Sequence, residues 1–427
     1  MVIARSKYEL RLLHVSGIRH ELRLPARLRF VPAAFPRYAP PPMQPSDLRV
    51  ALFSGNYNYV RDGANQALNK LVGHLLARGA AVRVYSPIVA RPAFPPTGDL
   101  VGVPAVPLPG GRGEYRIARG LTAATRRDLL AFAPNLVHVS APDLLGHRAI
   151  AWARKHALPA VASLHTRFET YPRYYRLGFL EPALVRLLIR FYARVDRVLV
   201  PGRSMADVLR GWGVPTPVSI WSRGIDHDRF NPARRSPEWR RGLGIGDEEL
   251  AVGFLGRLVK EKGLDIFAEV ATELRRRGVP HKTLVVGEGP ARDWFAAQVP
   301  DAVFAGFQSG PDLGRAVASM DALFNPSVTE TFGNVTAEAM ACAVPVVAAR
   351  ATGAVDLVED GATGMLVGPR DVGAYADAIA RLAADPALRR HMGAEGHARA
   401  SAYRWETANE AALQAYLDVM RTRATRS

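Results

Sequence analysis

The sequence has little of three features that would each assign it to a class of protein. It has one cysteine, Cys342, among 427 residues, which excludes an internal disulfide and is typical of cytosolic proteins. Its longest apolar runs are far shorter than the roughly 20 residues that a membrane-spanning helix needs. The first residues are charged throughout and contain no continuous apolar stretch, so no signal peptide is predicted. We therefore expect a cytoplasmic protein.

Acidic residues are also scarce: 39 Asp and Glu stand against 56 Lys and Arg, which gives a formal net charge of +17. A nucleic acid would be the first partner to consider. However, we find no zinc-ligand spacing, no basic-helix repeat and no aromatic RNA-binding motif, and the arginines are dispersed along the chain. An anionic membrane surface together with an anionic substrate explains the charge more economically, and no nucleic-acid partner is predicted.

The order of apolar and glycine-rich segments predicts an α/β protein with two doubly wound domains. Residues 48–53 have the pattern of a buried strand, and a glycine-containing loop, a helix and a further strand follow. This is the first βαβ unit of a parallel sheet, and a second series of such units begins near residue 250. The predicted parts are a disordered N-terminal extension (1–46), a first Rossmann-like domain (47–218), a second (219–403), and a crossover helix with a tail (404–427).

One βαβ unit, at residues 321–353, carries two carboxylates beside a helix start. Glu330 lies in the predicted loop, and Glu338 follows after seven residues, about one turn into a helix that we expect Asn334 to cap. A glycine at such a strand-to-helix turn lets backbone N–H groups and the helix dipole meet an anion. Taken alone, two such glutamates are more often solvated surface residues.

A second segment supplies cations for the same anion. The strand that ends at Gly256 is followed at once by Arg257, and Lys262 comes five residues later. A diphosphate needs a bidentate cation and a point charge close together, and arginine and lysine provide that pair. The alternative is a basic solvated turn, which is common in a chain this rich in arginine.

Together the two segments resemble a known family. The motif G-R-x-x-x-E-K-G at residues 256–263, followed by E-x7-E from Glu330 to Glu338, resembles the retaining glycosyltransferases of family 4, which have the GT-B fold. The resemblance covers about residues 48–420. It implies two Rossmann-like domains that face a cleft, a C-terminal helix that crosses back to the first domain, and a nucleotide-diphosphate sugar as the donor.

The resemblance also implies roles for individual residues. In similar enzymes cations and a helix start stabilise the charge that grows on the β-phosphate, and the sugar retains its anomeric configuration without a protein nucleophile. No cofactor and no metal site of the D-x-D type is predicted. The residues carried over as catalytic are Arg257, Lys262, Glu330 and His165. Those carried over as donor-binding are Gly63, Gly306, Phe332, Gly333, Asn334, Val335 and Glu338, with Glu330 on the sugar hydroxyls and Glu338 on the ribose.

The acceptor is predicted from one further sequence motif. H-T-x-F-x-x-Y-x-R-Y-Y at residues 165–175 is most similar to bacterial GDP-mannose-dependent α-mannosyltransferases and to diacylglycerol or sulfolipid glycosyltransferases. This implies transfer of a hexose, with mannose from GDP-mannose as the leading interpretation, to a lipid or glycolipid at the inner face of the cytoplasmic membrane. Residues 167–195 carry six arginines and an apolar stripe that includes Leu187. They predict either a core-facing helix with a basic outer face or a surface that contacts anionic lipid.

Other functions stay open at this point. A UDP-sugar, glucose or a uronic acid, is the alternative donor. A GT-B epimerase or phosphorylase would share the two domains, and a nucleic-acid-binding protein is suggested by charge alone. In the segment between the domains, we expect Arg223 and Asp226 to pair and shape the hinge.

Overall fold

The computed structural model describes residues 43–108, 115–174 and 177–425. Residues 1–42 of the predicted extension (1–46) therefore lie outside the described residues. The first described element is a single 3-10 turn, Pro45–Asp47, directly before the first strand.

The first domain is built on a sheet whose neighbouring strands all run parallel. The strands of the first domain are β1 (Arg49–Phe53), β2 (Ala81–Ser86), β3 (Asp99–Gly102), β4 (Ala105–Pro107), β5 (Arg116–Ala118), β6 (Leu136–Val139), β7 (Ala160–Ser163), β8 (Arg197–Val200) and β9 (Val218–Ile220). Strands β4 and β5 form a separate antiparallel hairpin. The order across the sheet is β3-β2-β1-β6-β7-β8-β9. Strands β6 and β7 are buried along their whole length because helices cover both faces of the sheet.

Two helices of the first domain begin after an aspartate whose side chain accepts from a free N–H group. Asp62 accepts from the N–H of Asn65, and Asp143 accepts in the same way from Gly146. Both carboxylates therefore lie where parallel strands end and helices begin. The helices are α1 (Gly63–Ala77), α2 (Ala123–Phe132), α3 (Leu144–Lys155), α4 (Tyr171–Tyr174), α5 (Glu181–Tyr192) and α6 (Arg203–Gly211).

The second domain repeats this architecture. Its strands are β10 (Ala251–Leu255), β11 (Lys282–Val286), β12 (Val303–Gly306), β13 (Ala322–Asn325), β14 (Val346–Ala349) and β15 (Gly364–Val367), all parallel, in the order β12-β11-β10-β13-β14-β15. Its helices are α7 (Pro237–Gly242), α8 (Leu264–Arg276), α9 (Arg292–Gln298), α10 (Gly310–Ala318), α11 (Asn334–Ala341), α12 (Ala354–Leu357), α13 (Val372–Ala384) and α14 (Pro386–Ala400). The expectation of two Rossmann-like domains is confirmed.

The last helix, α15 (Trp405–Ala424), packs against the first domain. Its buried Tyr416 joins the same apolar cluster as Trp221, and at its surface Glu410 accepts a hydrogen bond from His74 of α1, with 3.0 Å between Oε2 and Nε2. The predicted crossover helix is thus confirmed. Within the part of the chain that the structure describes, no helix is long and apolar enough to cross a membrane.

Two local predictions were wrong. Helix α11 begins at Asn334 but is capped by Gly333, which has a φ of +93°, a conformation that favours glycine over asparagine. In α5, Leu188 and Phe191 are buried as the apolar stripe predicts, but Leu187 is 47% exposed. Residues three and four apart lie on the same face of a helix. Leu187 therefore lies with Arg190 on the outer, solvent-exposed face of α5, which also carries Arg186.

Candidate active site

The two predicted motifs meet because β10 and β13 are neighbours in the second sheet. Their carboxyl ends lead into adjacent loops, so Lys262 and Glu330 form an ion pair with 2.5 Å between Nζ and Oε1. The side chain of Lys262 is 31% exposed and that of Glu330 is 14% exposed. A cation and a carboxylate thus lie side by side at the edge of the sheet, partly open to a ligand.

A glycine lets these loops approach each other. Gly263 has a φ of +73°, and a side chain there would bring its Cβ to 3.1 Å from the carbonyl oxygen of Pro326. The hydroxyl of Thr329 donates to the carbonyl of Glu261, with 3.2 Å between the oxygens. The loop after β10 is therefore fixed against the loop that carries Glu330.

Helix α11 presents free backbone donors beside the ion pair. The first N–H group bonded within the helix belongs to Ala337, which donates to the carbonyl of Gly333. The N–H groups of Asn334, Val335 and Thr336 therefore have no partner within the helix, as at any helix start. Such groups, together with the helix dipole, favour an anion at this position.

Glu338 lies about one turn into α11, and protein atoms surround its carboxyl although the residue keeps some contact with solvent. Burial raises the pKa of Glu338 to about 8; the charge of Arg229 lowers it, and the charges of Asp226 and Glu330 raise it further. At neutral pH the group is mainly a neutral acid, which can donate as well as accept a hydrogen bond.

Arg257 faces the first domain. Its Nη1 donates to the hydroxyl of Tyr115 at 3.2 Å, and its guanidinium lies 5.8 Å from the centre of that ring. Burial raises the pKa of Asp62 to about 6, and the positive charge of Arg257 acts in the opposite direction. Next to Asp62, a side chain on Gly63 would place its Cβ 2.1 Å from Nδ2 of Asn334. Gly63 thus allows the two domains to approach at the start of α11.

Three further contacts join the domains around this point, and sequence reasoning missed them. The hydroxyl of Thr331 donates to the carbonyl of His165 at 2.8 Å. The carboxylate of Asp356 accepts from the N–H of Ser204 at 3.1 Å and from its hydroxyl at 2.7 Å, and so caps α6 from the other domain. Arg167 contacts Thr352 more weakly, with 3.4 Å between Nη1 and Oγ1. No local pattern reveals such pairs, because each forms only when the domains meet.

His165, which the resemblance implies to be catalytic, lies just after the end of strand β7, and its ring is bonded within the protein. Arg223 donates from Nη2 to Nδ1 of the ring at 2.8 Å, and Ser163 lies 2.8 Å from Nε2. Burial lowers the pKa of His165 well below its ordinary value, and the charge of Arg223 lowers it further. Neither ring nitrogen is available to exchange a proton with a substrate in this arrangement.

At two predicted donor-binding positions, Phe332 and Gly306, no side chain faces the candidate site. The side chain of Phe332 is buried and packs against Tyr403, with ring centres 5.7 Å apart, so only its backbone borders the candidate site. Gly306 ends β12 with a φ of +69°, and its carbonyl accepts from the N–H of Gly287. Phe307 follows, 64% exposed, and offers an aromatic face at the same edge of the sheet.

The predicted pair of Arg223 and Asp226 is absent. Asp226 instead contacts Arg229, with 3.1 Å between Oδ2 and Nη2, because Arg223 turns inward toward His165. Residues 226–228 spell D-x-D, but no group of three His, Cys, Asp or Glu able to hold a metal ion occurs among residues 43–108, 115–174 and 177–425.

Comparison with known proteins agrees with this geometry. Two family models match the chain, Glycosyltransferase Family 4 over residues 61–229 and Glycosyl transferases group 1 over residues 249–385. A GDP-mannose-dependent alpha-mannosyltransferase of Corynebacterium glutamicum is 29% identical over 377 residues, which are 87% of this chain and 89% of the relative. A sulfoquinovosyl transferase of Arabidopsis thaliana is 30% identical over 372 residues, 84% and 71% of the two chains.

The solved structure of sucrose-phosphate synthase from Thermosynechococcus elongatus has the same fold, with a TM-score of 0.71 at 22% identity over 87% of this chain and 99% of that one. Fold and matches together define a glycosyltransferase of the GT-B type. The chain belongs to family 4 of the glycosyltransferases, and it transfers a sugar from a nucleotide-sugar donor.

Proposed function

We propose that this enzyme is a retaining mannosyltransferase that moves mannose from GDP-mannose to a lipid or glycolipid acceptor at a membrane surface. The observation that carries the proposal is the meeting of Lys262, Glu330 and the free N–H groups of α11 at one edge of the second sheet. This is a site for a diphosphate that bears a sugar, because cations and helix N–H groups bind phosphate while a carboxylate binds hydroxyls.

The proposed reaction uses these groups electrostatically. When the bond between the sugar and the β-phosphate breaks, negative charge grows on the phosphate. Lys262, Arg257 and the N–H groups of Asn334, Val335 and Thr336 would stabilise that charge without having to reorganise. Glu330 would accept hydrogen bonds from the sugar hydroxyls, and Glu338 would contact the ribose. We propose that no metal ion is needed, since these fixed positive groups take its place.

The choice of donor rests on the relatives. The Corynebacterium relative, which spans most of this chain, is named as GDP-mannose-dependent. The Arabidopsis relative is named as a sulfoquinovosyl transferase, which supports a second candidate, transfer of another hexose from a UDP-sugar. Donor binding distinguishes the two because a ligand that binds only the native state raises its stability, by about 2.7 kcal/mol at a concentration one hundred times Kd.

The test is a panel of melting curves with GDP-mannose, GDP, UDP-glucose, UDP-glucuronate and UDP, on the wild type and on Arg257→Ala. We expect GDP-mannose and GDP to raise the melting temperature of the wild type by several degrees and to have less effect on the variant. A transfer assay with labelled GDP-mannose and a lipid extract then shows label in the organic phase. If only the uridine nucleotides stabilise the protein, the second candidate, transfer from a UDP-sugar, would be favoured over GDP-mannose. If no nucleotide has an effect, the proposed donor site would be refuted.

The protonation of Glu338 gives this site a pH dependence. With a pKa of about 8, its carboxyl is neutral below that pH and ionised above it, where it would repel the donor's diphosphate. We expect the KM for the donor to rise about tenfold per pH unit well above pH 8 in the wild type. Glu338→Gln keeps a neutral group of the same shape, so its KM should stay nearly constant over that range. An equal rise in both proteins would assign the effect to another group.

A surface on the first domain supports a membrane-bound acceptor. Phe179 is 75% exposed directly before α5, and Arg186, Leu187 and Arg190 share the outer face of that helix. We name these four residues the α5 patch. Exposed apolar groups beside arginines fit the interface of a bilayer that contains anionic lipid. The inner face of α5 is buried through Leu188, so the patch stands on a fixed element.

The α5 patch can be tested by vesicle flotation. Burial of a phenylalanine side chain contributes about 1.5–3 kcal/mol, so Phe179→Ser should weaken binding to vesicles with anionic lipid at least tenfold. Leu130→Ser removes a similarly exposed side chain (59%) from α2 and should leave binding unchanged. Binding by the wild type should also fall in high salt, because arginine–lipid attraction is screened. Equal binding by both variants would contradict a role for the patch.

A further inference from the structure

A row of five polar side chains runs through the first domain from the C-terminal helix to the contact between the domains. The hydroxyl of Tyr416 lies 2.7 Å from Nδ1 of His138, and Nε2 of His138 lies 2.9 Å from Oγ of Ser163. Ser163 continues to His165, which meets Arg223, at 2.8 Å in each case. Tyr416, His138 and Ser163 are buried, and none of the three has a role in the proposed reaction.

Arg223 determines the tautomer of the His165 ring. A guanidinium has N–H donors and no acceptor, so Nδ1 of His165 must accept the bond from Arg223. Since burial and the arginine charge keep the ring neutral, its one proton is on Nε2, which donates to Ser163. Burial also lowers the pKa of His138 to about 3, so the second ring is neutral as well.

The row ends at the loop of the second domain that carries Glu330. The carbonyl oxygen of His165 accepts from the hydroxyl of Thr331, which directly follows Glu330. A displacement of His165 would therefore change the contact that places Glu330 and, through it, Lys262. Trp221 packs edge-on against both histidine rings, with ring centres 5.4 Å from His165 and 6.2 Å from His138, and leaves them little room to rotate.

We propose that Tyr416, His138 and Ser163 are positioning residues for His165, and that the C-terminal helix acts on sugar transfer through them. In the proposed arrangement every hydrogen bond is donated in the same direction along the row. Arg223 donates to His165, His165 to Ser163, and Ser163 to His138. His138 then donates the proton on its Nδ1 to Tyr416. The two rings thus hold opposite tautomers. The kinetic consequence of this inference rests on the proposed function, whereas the proposed tautomers do not depend on it.

The kinetic test compares two buried tyrosines. Tyr416→Phe leaves Nδ1–H of His138 without an acceptor, and an unsatisfied buried donor costs about 1–3 kcal/mol. Tyr375→Phe, in the core of the second domain, is the matched control, because its hydroxyl is buried and has no hydrogen-bond partner among the described residues. We expect Tyr416→Phe to lower kcat about tenfold with less than about twofold change in the donor KM, and Tyr375→Phe to change neither.

The spectroscopic test uses nitrogen-15 NMR of labelled histidine in the full-length protein, with signals assigned through His138→Gln. We expect His165 protonated on Nε2 and His138 on Nδ1 in the wild type, and a shift of the His138 proton toward Nε2 in Tyr416→Phe. The same tautomer on both rings, unchanged kcat in Tyr416→Phe, or an equal loss in Tyr375→Phe would overturn the proposal. A wild type that transfers no sugar would refute the proposed function, while the NMR result would still decide whether the row is ordered as proposed.

Discussion

Lys262→Met should lower kcat/KM for sugar transfer by about 100- to 1000-fold, the usual cost of removing one group that stabilises transition-state charge. The substitution keeps the length of the side chain and removes its charge. It also leaves the carboxylate of Glu330, 14% exposed, without its cation at the place where we propose that the donor's diphosphate binds. Initial rates with the donor that stabilises the protein, at saturating acceptor, measure the effect.

The same turn offers a control. Lys260 lies in the 3-10 turn Lys260–Lys262, and its side chain is exposed to solvent. Lys260→Met removes the same charge a few residues away and should change kcat/KM by less than about threefold, because exposed charges are well screened. An equal loss in both variants would show that the charge of the whole turn, rather than the position of Lys262, matters.

A double variant separates two roles of Lys262. If the lysine served only to neutralise Glu330, then Glu330→Gln in the Lys262→Met background would restore activity. We expect no restoration, because the lysine contributes to phosphate binding and the glutamate to sugar binding, and both contributions would be lost. Recovery to within tenfold of the wild type would contradict the role of Lys262 in charge stabilisation.

The sequence predicts the second-domain part of this site well, because each of its two motifs lies within one short segment of the chain. G-R-x-x-x-E-K-G and E-x7-E each occupy one strand–loop unit, and parallel pairing of β10 with β13 brings the two loops together. The prediction of Asn334 as a cap failed for a local reason as well. Asparagine is the better N-cap by statistics, but the backbone at Gly333 has a positive φ that glycine adopts without strain.

The contacts between the domains could not be predicted in this way. Asp356 caps a helix 152 residues earlier in the chain, because its carboxylate accepts from the N–H group and the hydroxyl of Ser204. The sequence predicts a pair between Arg223 and Asp226, because both belong to one segment. Arg223 instead contacts His165, since sequence proximity is a poor guide once a chain crosses between domains. Long-range polar pairs depend on how surfaces dock, which local patterns do not encode.

Gly353→Ala should also reduce activity strongly, because it would displace the backbone of the loop that carries Glu330. Gly353 has a φ of +83°, and a Cβ there would lie 2.8 Å from the carbonyl oxygen of Phe332 and 3.0 Å from that of Glu330. Both atoms are backbone, so the loop must move to admit a methyl group. Since displacement of a binding group by about 1 Å can cost about 100-fold, we expect kcat/KM to fall by about 10- to 100-fold.

A second glycine isolates this effect from backbone strain. Gly361 has nearly the same φ, +82°, but no atom of another described residue, apart from its two chain neighbours, lies within 4 Å of the position of its Cβ. Both alanine variants should lose about 1–3 kcal/mol of unfolding free energy from the unfavourable φ, as measured by urea denaturation. Only Gly353→Ala should lose transfer activity, because only its methyl group meets the loop that holds Glu330. If Gly361→Ala were equally inactive, general destabilisation would explain both results, and the position of that loop would not limit the reaction.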